Sequence, residues 1–84
     1  MSGLDAKLNP RFAELLMIAF REPLETLEVV FRRSLTAALQ DESPEIVDGW
    51  LRGIPKLLEA SPLYAADRKL RVEEMCAALR MAIA

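Results

Sequence analysis

Histidine is absent from this 84-residue chain, and cysteine occurs only once, as Cys76. Hydrolytic triads, most zinc sites and most proton shuttles at neutral pH depend on histidine. A single cysteine cannot form a disulfide within its own chain, so neither metal nor disulfide is expected to stabilise the fold. We therefore predict that the protein is not an enzyme and that it uses no metal or other cofactor.

Long apolar runs and a signal peptide are also missing. The longest uninterrupted apolar run in the first half of the chain, residues 15–20, has six residues, far fewer than the ~20 needed to cross a bilayer. The N-terminal sequence lacks the charged-then-apolar plan of a signal peptide, and a single cysteine suits a reducing compartment. We expect a cytoplasmic protein. Frequent alanine, and eight arginines against three lysines, suit a GC-rich bacterial or phage source.

Strand patterns are lacking as well, whereas helix starts are clearly marked. Asn-Pro or Ser-Pro pairs at 9–10, 43–44 and 61–62 each place a capping side chain before a proline in the first turn, where the missing N–H costs nothing. Nowhere do apolar and polar residues alternate through a β-branched run. The sequence predicts an all-α fold, a small bundle of three to four helices. We expect this bundle to form a single domain over residues 1–84, with residues 1–8 as a flexible tail.

Pro23 interrupts the first apolar stripe without changing its phase. The stripe advances in steps of three, four or seven residues, which is the spacing of one helix face: Phe12, Leu16, Phe20, Leu27, Phe31, Leu35 and Ala38. An interior proline costs about 3 kcal/mol and pushes Glu22 out of the α region. However, residues 21–24 contain no Gly, Asn, Asp or Ser to form a turn. We therefore expect one long helix from about Pro10 to Gln40, bent near Pro23, and an elongated bundle shared between chains.

Two further helices are expected in the second half of the chain. A middle helix begins at Pro44 and is expected to stop or kink at Gly53 and Pro55. The last helix, from Pro62 to about Ile83, carries one apolar stripe for the core: Val72, Met75, Cys76, Leu79 and Ile83. On roughly the opposite side it carries a second stripe: Leu63, Ala66, Leu70, Ala77 and Met81. Because it is apolar on two faces, this helix is expected to be covered on two sides.

The uncovered second stripe favours a protein-binding function. Leu63, Leu70 and Met81 are the predicted partner-binding residues, and a second copy of the chain is the expected occupant. Trp50 is the fourth candidate, because a lone tryptophan beside two glycines either fills the core or anchors a partner. We predict a protein-binding regulator of the adaptor, chaperone, anti-activator or inhibitor type. It acts through apolar helix faces as a homodimer.

The alternative function is that of a small DNA-binding regulator. Arg68, Lys69 and Arg71 form the best basic cluster, and a dimer would have to pool two such clusters. The net charge of −2 and the neighbouring acidic residues disfavour contact with phosphates. Nucleic acid is therefore the less favoured partner.

Two other features have simpler interpretations. An acidic cluster surrounds the start of the middle helix: Asp41, Glu42, Glu45 and Asp48. It lacks EF-hand spacing, and acidic charge suits a helix N-terminus. Cys76 lies on the core stripe of the last helix, which predicts a buried side chain rather than a reactive thiol.

Overall fold

The computed structural model describes residues 9–62 and 66–83. These ranges contain four α-helices and no strand: α1 (Pro10–Arg21), α2 (Leu24–Asp41), α3 (Pro44–Glu59) and α4 (Ala66–Ile83). The predicted all-α class and helix number are confirmed. The predicted flexible tail, residues 1–8, lies outside the described residues.

The described chain divides after Asp41 into two units, each a pair of helices. In the first unit α1 packs with α2, and in the second α3 packs with α4. Polar contacts join the start of one helix to the end of the other in each pair, since Arg11 meets Asp41 and Asp48 meets Arg80. Both units are therefore antiparallel hairpins. That residues 1–84 form one domain remains a prediction.

A single first helix bent at Pro23 is not confirmed, because the structure separates α1 from α2 at this point. Glu22 is extended, with φ −64° and ψ 138°, as the residue before a proline prefers to be. α2 begins at Leu24. Thr26, in its first turn, bonds back to the connection, because its N–H donates to the Pro23 carbonyl at 3.1 Å and its hydroxyl to the Glu22 carboxylate at 2.7 Å. The expectation of an elongated bundle depended on one continuous helix, and it loses that basis.

The predicted cap at Asn9 is present. The Asn9 side chain accepts hydrogen bonds from the backbone N–H groups of Arg11 and Phe12, at 2.9 and 3.2 Å. The Ser43 hydroxyl likewise accepts from the N–H of Ile46 at 3.4 Å. These contacts satisfy N–H groups that a helix start leaves without partners.

Two expected helix boundaries differ from the structure. α3 does not stop at Gly53 and Pro55 but continues through both to Glu59. Leu58, beyond the proline, is buried, so burial favours continuing the helix despite the missing N–H of Pro55. The last helix was expected to begin at Pro62. In the structure α4 is described from Ala66 onwards, and residues 63–65 lie outside the described ranges.

Each helix buries one face, as the helical spacing of apolar residues predicts. In the first hairpin the buried apolar residues are Phe12, Leu15, Ala19, Leu27, Phe31, Leu35 and Ala38. In α1 this differs from the predicted stripe, because Leu16 is half-buried and Phe20 is exposed while Leu15 and Ala19 turn inwards. In the second they are Val47, Trp50, Leu51, Ile54, Leu58, Val72, Met75, Cys76 and Leu79. The predicted core stripe of the last helix is thus buried, apart from Ile83, which is half-buried.

Candidate partner-binding surfaces

The α4 stripe, defined as Leu70, Ala77 and Met81, is exposed along its whole length. Leu70 is 59% exposed and Met81 is 81% exposed. The two residues are eleven positions apart, about three helical turns, so their side chains project from the same face. Of the other two residues of the predicted stripe, Ala66 is also exposed, and Leu63 lies outside the described residues.

The α4 stripe lies outside the buried core of the hairpin, and two of its residues, Ala77 and Met81, border a groove between α3 and α4. Val72 and Leu79 are buried and lie on the opposite side of the helix from Leu70, since two or nine residues correspond to about half a turn of rotation. α4 packs with α3 through this buried side. The two-faced pattern in the sequence therefore reflects one covered side and one exposed side.

Acidic residues accompany the α4 stripe. Glu74 lies one turn after Leu70 on nearly the same face, and Glu73 lies beside it; both are exposed. Within the described ranges, neither carboxylate takes part in an ion pair. The exposed face of α4 is therefore apolar at both ends and negatively charged near its middle.

Trp50 is buried, with 8% of its surface exposed. A ring in this position fills space inside the protein and offers little surface to a partner. Of the two interpretations that the sequence left open, the structure places Trp50 in the core. Among the described residues, the candidate surface on α4 thus rests on Leu70 and Met81.

A second exposed apolar surface lies on α3, and the sequence interpretation missed it. Ile46 and Leu57 are 47% and 51% exposed, and they too are eleven residues apart on one helix face. Between them, Gly49 and Gly53 leave open space, because a Cβ atom added at either would meet no atom of the described residues within 4 Å, outside the adjoining backbone of α3. The eleven-residue spacing was the available signal. Because the helix was expected to stop or kink at Gly53 and Pro55, Ile46 and Leu57 were not assigned to one helix face.

A groove of mixed charge runs between α3 and α4 along the side away from Trp50. Arg52, Ala77 and Arg80 line both of its widenings, of about 410 and 870 Å³. Arg80 donates to Asp48 across the groove at 2.9 Å, which ties the two helices together. The groove therefore presents a paired charge and an apolar wall rather than a set of reactive groups.

Two members of the acidic cluster around the start of α3 each form an ion pair. Asp41 accepts from Arg11 at 2.7 Å, and Asp48 accepts from Arg80. Across the described residues, no group of three or more Asp, Glu or Cys side chains is placed to hold a metal ion. Two of the four carboxylates thus have structural contacts within their own hairpins.

The three predicted nucleic-acid residues do not form a single patch. Lys69 faces α3, where its Nζ lies 3.1 Å from Oε1 of Glu59. Arg71 is two residues further on and projects to a different side, since positions i and i+2 of a helix do not face each other. Arg68 is half-buried. Arg68 and Arg71, three residues apart, are neighbours on one helix face, whereas Lys69 is directed towards Glu59. The three residues thus form a two-arginine surface rather than one patch of three.

Cys76 is a free, buried thiol on the core side of α4. Burial disfavours the charged thiolate and raises the pKa of Cys76 from 9.0 to about 12. The side chain therefore stays protonated at neutral pH, where a nucleophile or metal ligand would need to be a thiolate. Its position agrees with the predicted role as a core residue.

Compared with known proteins, the chain matches no family model, no curated protein and no solved structure at a significant level. None of the helices in the described ranges combines the length and apolar content of a membrane-spanning segment.

Proposed function

We propose that this protein is a non-enzymatic protein-binding regulator whose α4 stripe receives an apolar surface of another protein. The observation that carries the proposal is the exposure of Leu70 and Met81 on one face of a well-formed helix. Large exposed side chains aligned on one helix face are typical of interaction sites. Association of two copies of the chain is part of the same proposal.

The charge of this face indicates the chemistry of the partner. Glu73 and Glu74 lie between the two ends of the stripe and have no ion pair within the described residues. An amphipathic helix with an apolar stripe flanked by lysine or arginine would cover Leu70 and Met81 and place its cations beside these carboxylates. An acidic partner helix would be repelled.

A pair of matched variants tests the proposal. Leu70 on α4 and Val29 on α2 are both 59% exposed, so Leu70→Glu and Val29→Glu add the same charge at equally exposed positions. Proteins that co-purify with tagged wild type from its native cells are identified by mass spectrometry. The purified partner is then titrated into each variant by calorimetry. We expect Leu70→Glu to weaken binding at least about tenfold and Val29→Glu to leave it unchanged.

Met81→Glu is the second test of the same face, and circular dichroism of each variant controls for folding. The proposal is wrong if no protein binds in stoichiometric amounts. It is equally wrong if Leu70→Glu and Met81→Glu bind the partner as tightly as Val29→Glu does.

A further inference from the structure

The exposed face of α3 carries an apolar pair and a charged pair with the same spacing. Ile46 and Leu57 are the exposed apolar residues. Each is directly preceded by an exposed charged residue, Glu45 before Ile46 and Lys56 before Leu57. Within each pair the two residues are eleven positions apart, about three turns. Glu45 and Lys56 therefore lie on one flank of the face that Ile46 and Leu57 form.

Neither member of the charged pair is neutralised inside its own hairpin. No ion pair within the described residues involves Glu45 or Lys56. The two charges lie near opposite ends of α3, too far apart to meet each other. An antiparallel copy of the same helix would bring opposite charges together on this flank.

We propose that two copies of this chain associate through α3, packed antiparallel about a two-fold axis. Ile46 then lies against Leu57 of the second copy, and Glu45 lies beside Lys56 of the second copy. The symmetry repeats each contact, so the interface contains two apolar pairs and two ion pairs. With Ile46 level with Leu57 of the second copy, Glu45 is offset along the axis from Lys56 of the second copy by two residues, about 3 Å. Two long side chains can span this offset, so one register allows all four contacts. The inference rests on the dimeric part of the proposed function and is independent of partner binding at α4.

The alternative pairings of these helices bring like charges together. A parallel pair of α3 helices would place Glu45 beside Glu45 of the second copy. An antiparallel pair of α4 helices, with Leu70 against Met81, would place Glu74 within one turn of its own symmetry mate. Like charges at such positions are destabilising. In the antiparallel α3 pair Arg52 lies nearly level with its own symmetry mate, but it projects about 130° around the helix from the face that Ile46 and Leu57 form, whereas Glu74 projects close to the apolar face of α4. The charges nearest each face therefore favour α3 for the second copy and leave α4 for another protein.

The backbone of α3 is accessible to a second helix. Apart from the adjoining backbone of α3 itself, none of the described residues comes within 4 Å of a Cβ atom added at Gly49 or Gly53. A single helix pair covers much less than the roughly 800 Å² per partner of a standard stable interface. We therefore expect a weak dimer whose population rises with protein concentration.

Sedimentation equilibrium over a range of concentrations is the first test. Wild type should rise from the 9.4 kDa chain mass towards twice that value at high micromolar concentration. Leu57→Glu should raise the dissociation constant at least about tenfold, whereas Val29→Glu, the same change at an exposed position of α2, should leave it unchanged. A wild type that stays monomeric overturns the inference, and so does a dimer that Leu70→Glu alone dissociates.

Charge reversal tests the register. Glu45→Lys and Lys56→Glu each place like charges together twice in the symmetric pair, so each should raise the dissociation constant about tenfold. The double variant restores opposite charges and should recover wild-type association. Failure of this rescue in variants that circular dichroism shows to be folded would overturn the antiparallel arrangement.

A crosslinking experiment reports on the same register without changing any charge. A chain carrying Ile46→Cys mixed with a chain carrying Leu57→Cys should form a disulfide-linked dimer under oxidising conditions. Either chain alone should form little, because equivalent positions lie several turns apart in an antiparallel pair. The native Cys76 is buried and does not compete. Crosslinking that is stronger for each chain alone than for the mixture would contradict the arrangement.

These outcomes separate the inference from the partner-binding proposal. A monomeric wild type that still loses its partner on Leu70→Glu would remove the dimer and keep the α4 site. A dimer that responds to Leu57→Glu, with no partner bound at α4, would do the reverse.

Discussion

Ser34 on α2 donates a hydrogen bond to the Glu14 carboxylate on α1, with 2.6 Å between Oγ and Oε1. Ser34 is the buried polar side chain of the described residues, and this bond satisfies it. Arg11 adds a second link between the helices through Asp41. Together the two contacts specify which turn of α1 lies against which turn of α2.

Removal of the Ser34 hydroxyl should destabilise the first hairpin modestly. Ser34→Ala loses one hydrogen bond, while the half-exposed Glu14 can turn to water, so we expect the free energy of unfolding to fall by about 1 kcal/mol. Thr36→Ala is the matched control, because the exposed Thr36 hydroxyl bonds only within its own helix, to the Arg32 carbonyl. Urea unfolding of both variants measures the difference. Equal losses would contradict a special role for Ser34.

Alanine at the two prolines should change stability in opposite directions. Pro23 lies in a turn whose backbone already suits proline, so Pro23→Ala should lower the free energy of unfolding by about 0.4–1 kcal/mol through the unfolded chain. Pro55 interrupts the hydrogen bonding of α3, so Pro55→Ala should raise stability. Thermal unfolding followed by circular dichroism gives both values.

The Pro23 variant also tests whether the break between α1 and α2 depends on the proline itself. Both helices bury apolar faces, including Leu15 and Phe31, so we expect Glu22 to stay extended in Pro23→Ala. Carbon chemical shifts measure this directly. Helical shifts running without interruption through residues 21–24 would show that the proline alone keeps the helices apart.

Stability should decrease at alkaline pH because of Cys76. Burial raises the pKa of Cys76 from 9.0 to about 12, so between these values the unfolded state loses the thiol proton while the native state retains it. The native state then binds more protons, and the free energy of unfolding falls as pH rises. Cys76→Ala should show a shallower fall over this range in urea titrations at a series of pH values. Parallel curves for the two proteins would contradict the assignment.

Duplex DNA should not be retained by this protein. Lys69 is paired with Glu59, so the basic surface is reduced to Arg68 and Arg71, which are neighbours on one helix face, and the chain as a whole carries a net charge of −2. A DNA-binding protein would be retained on immobilised duplex at low salt and released steeply as salt rises. Retention of wild type that disappears when Arg68, Lys69 and Arg71 are replaced by glutamine would instead establish the nucleic-acid function.

The sequence alone determined the helical class, two helix starts and the two-faced character of the last helix. These features depend on interactions within about four residues of one another. The side chains of Asn9 and Ser43 need only the next turn to form their caps. Periodic apolar positions likewise specify which faces of a helix avoid water, whatever then covers them.

Only the tertiary structure decided how the two internal prolines act. Pro23 separates two helices and Pro55 lies inside one, although local rules treat both as helix breakers. An apolar stripe that keeps its phase across Pro23 suits a bent rod and a folded-back hairpin equally well. Burying each large side chain stabilises by about 1.5–3 kcal/mol, so packing between helices outweighs the local preference at either proline.

Tertiary packing also decided which apolar residues are exposed. The apolar pattern of α3 contains Trp50, Ile46 and Leu57, and the structure buries the first while leaving the other two about half exposed. The sequence cannot rank them, because periodicity shows where apolar side chains point but not which neighbour reaches them. The exposure of Leu70 agrees with the sequence pattern of a helix that is apolar on two faces. The exposed face of α3 depends on the tertiary structure, because Ile46 and Leu57 share one helix face only if the helix continues through Pro55.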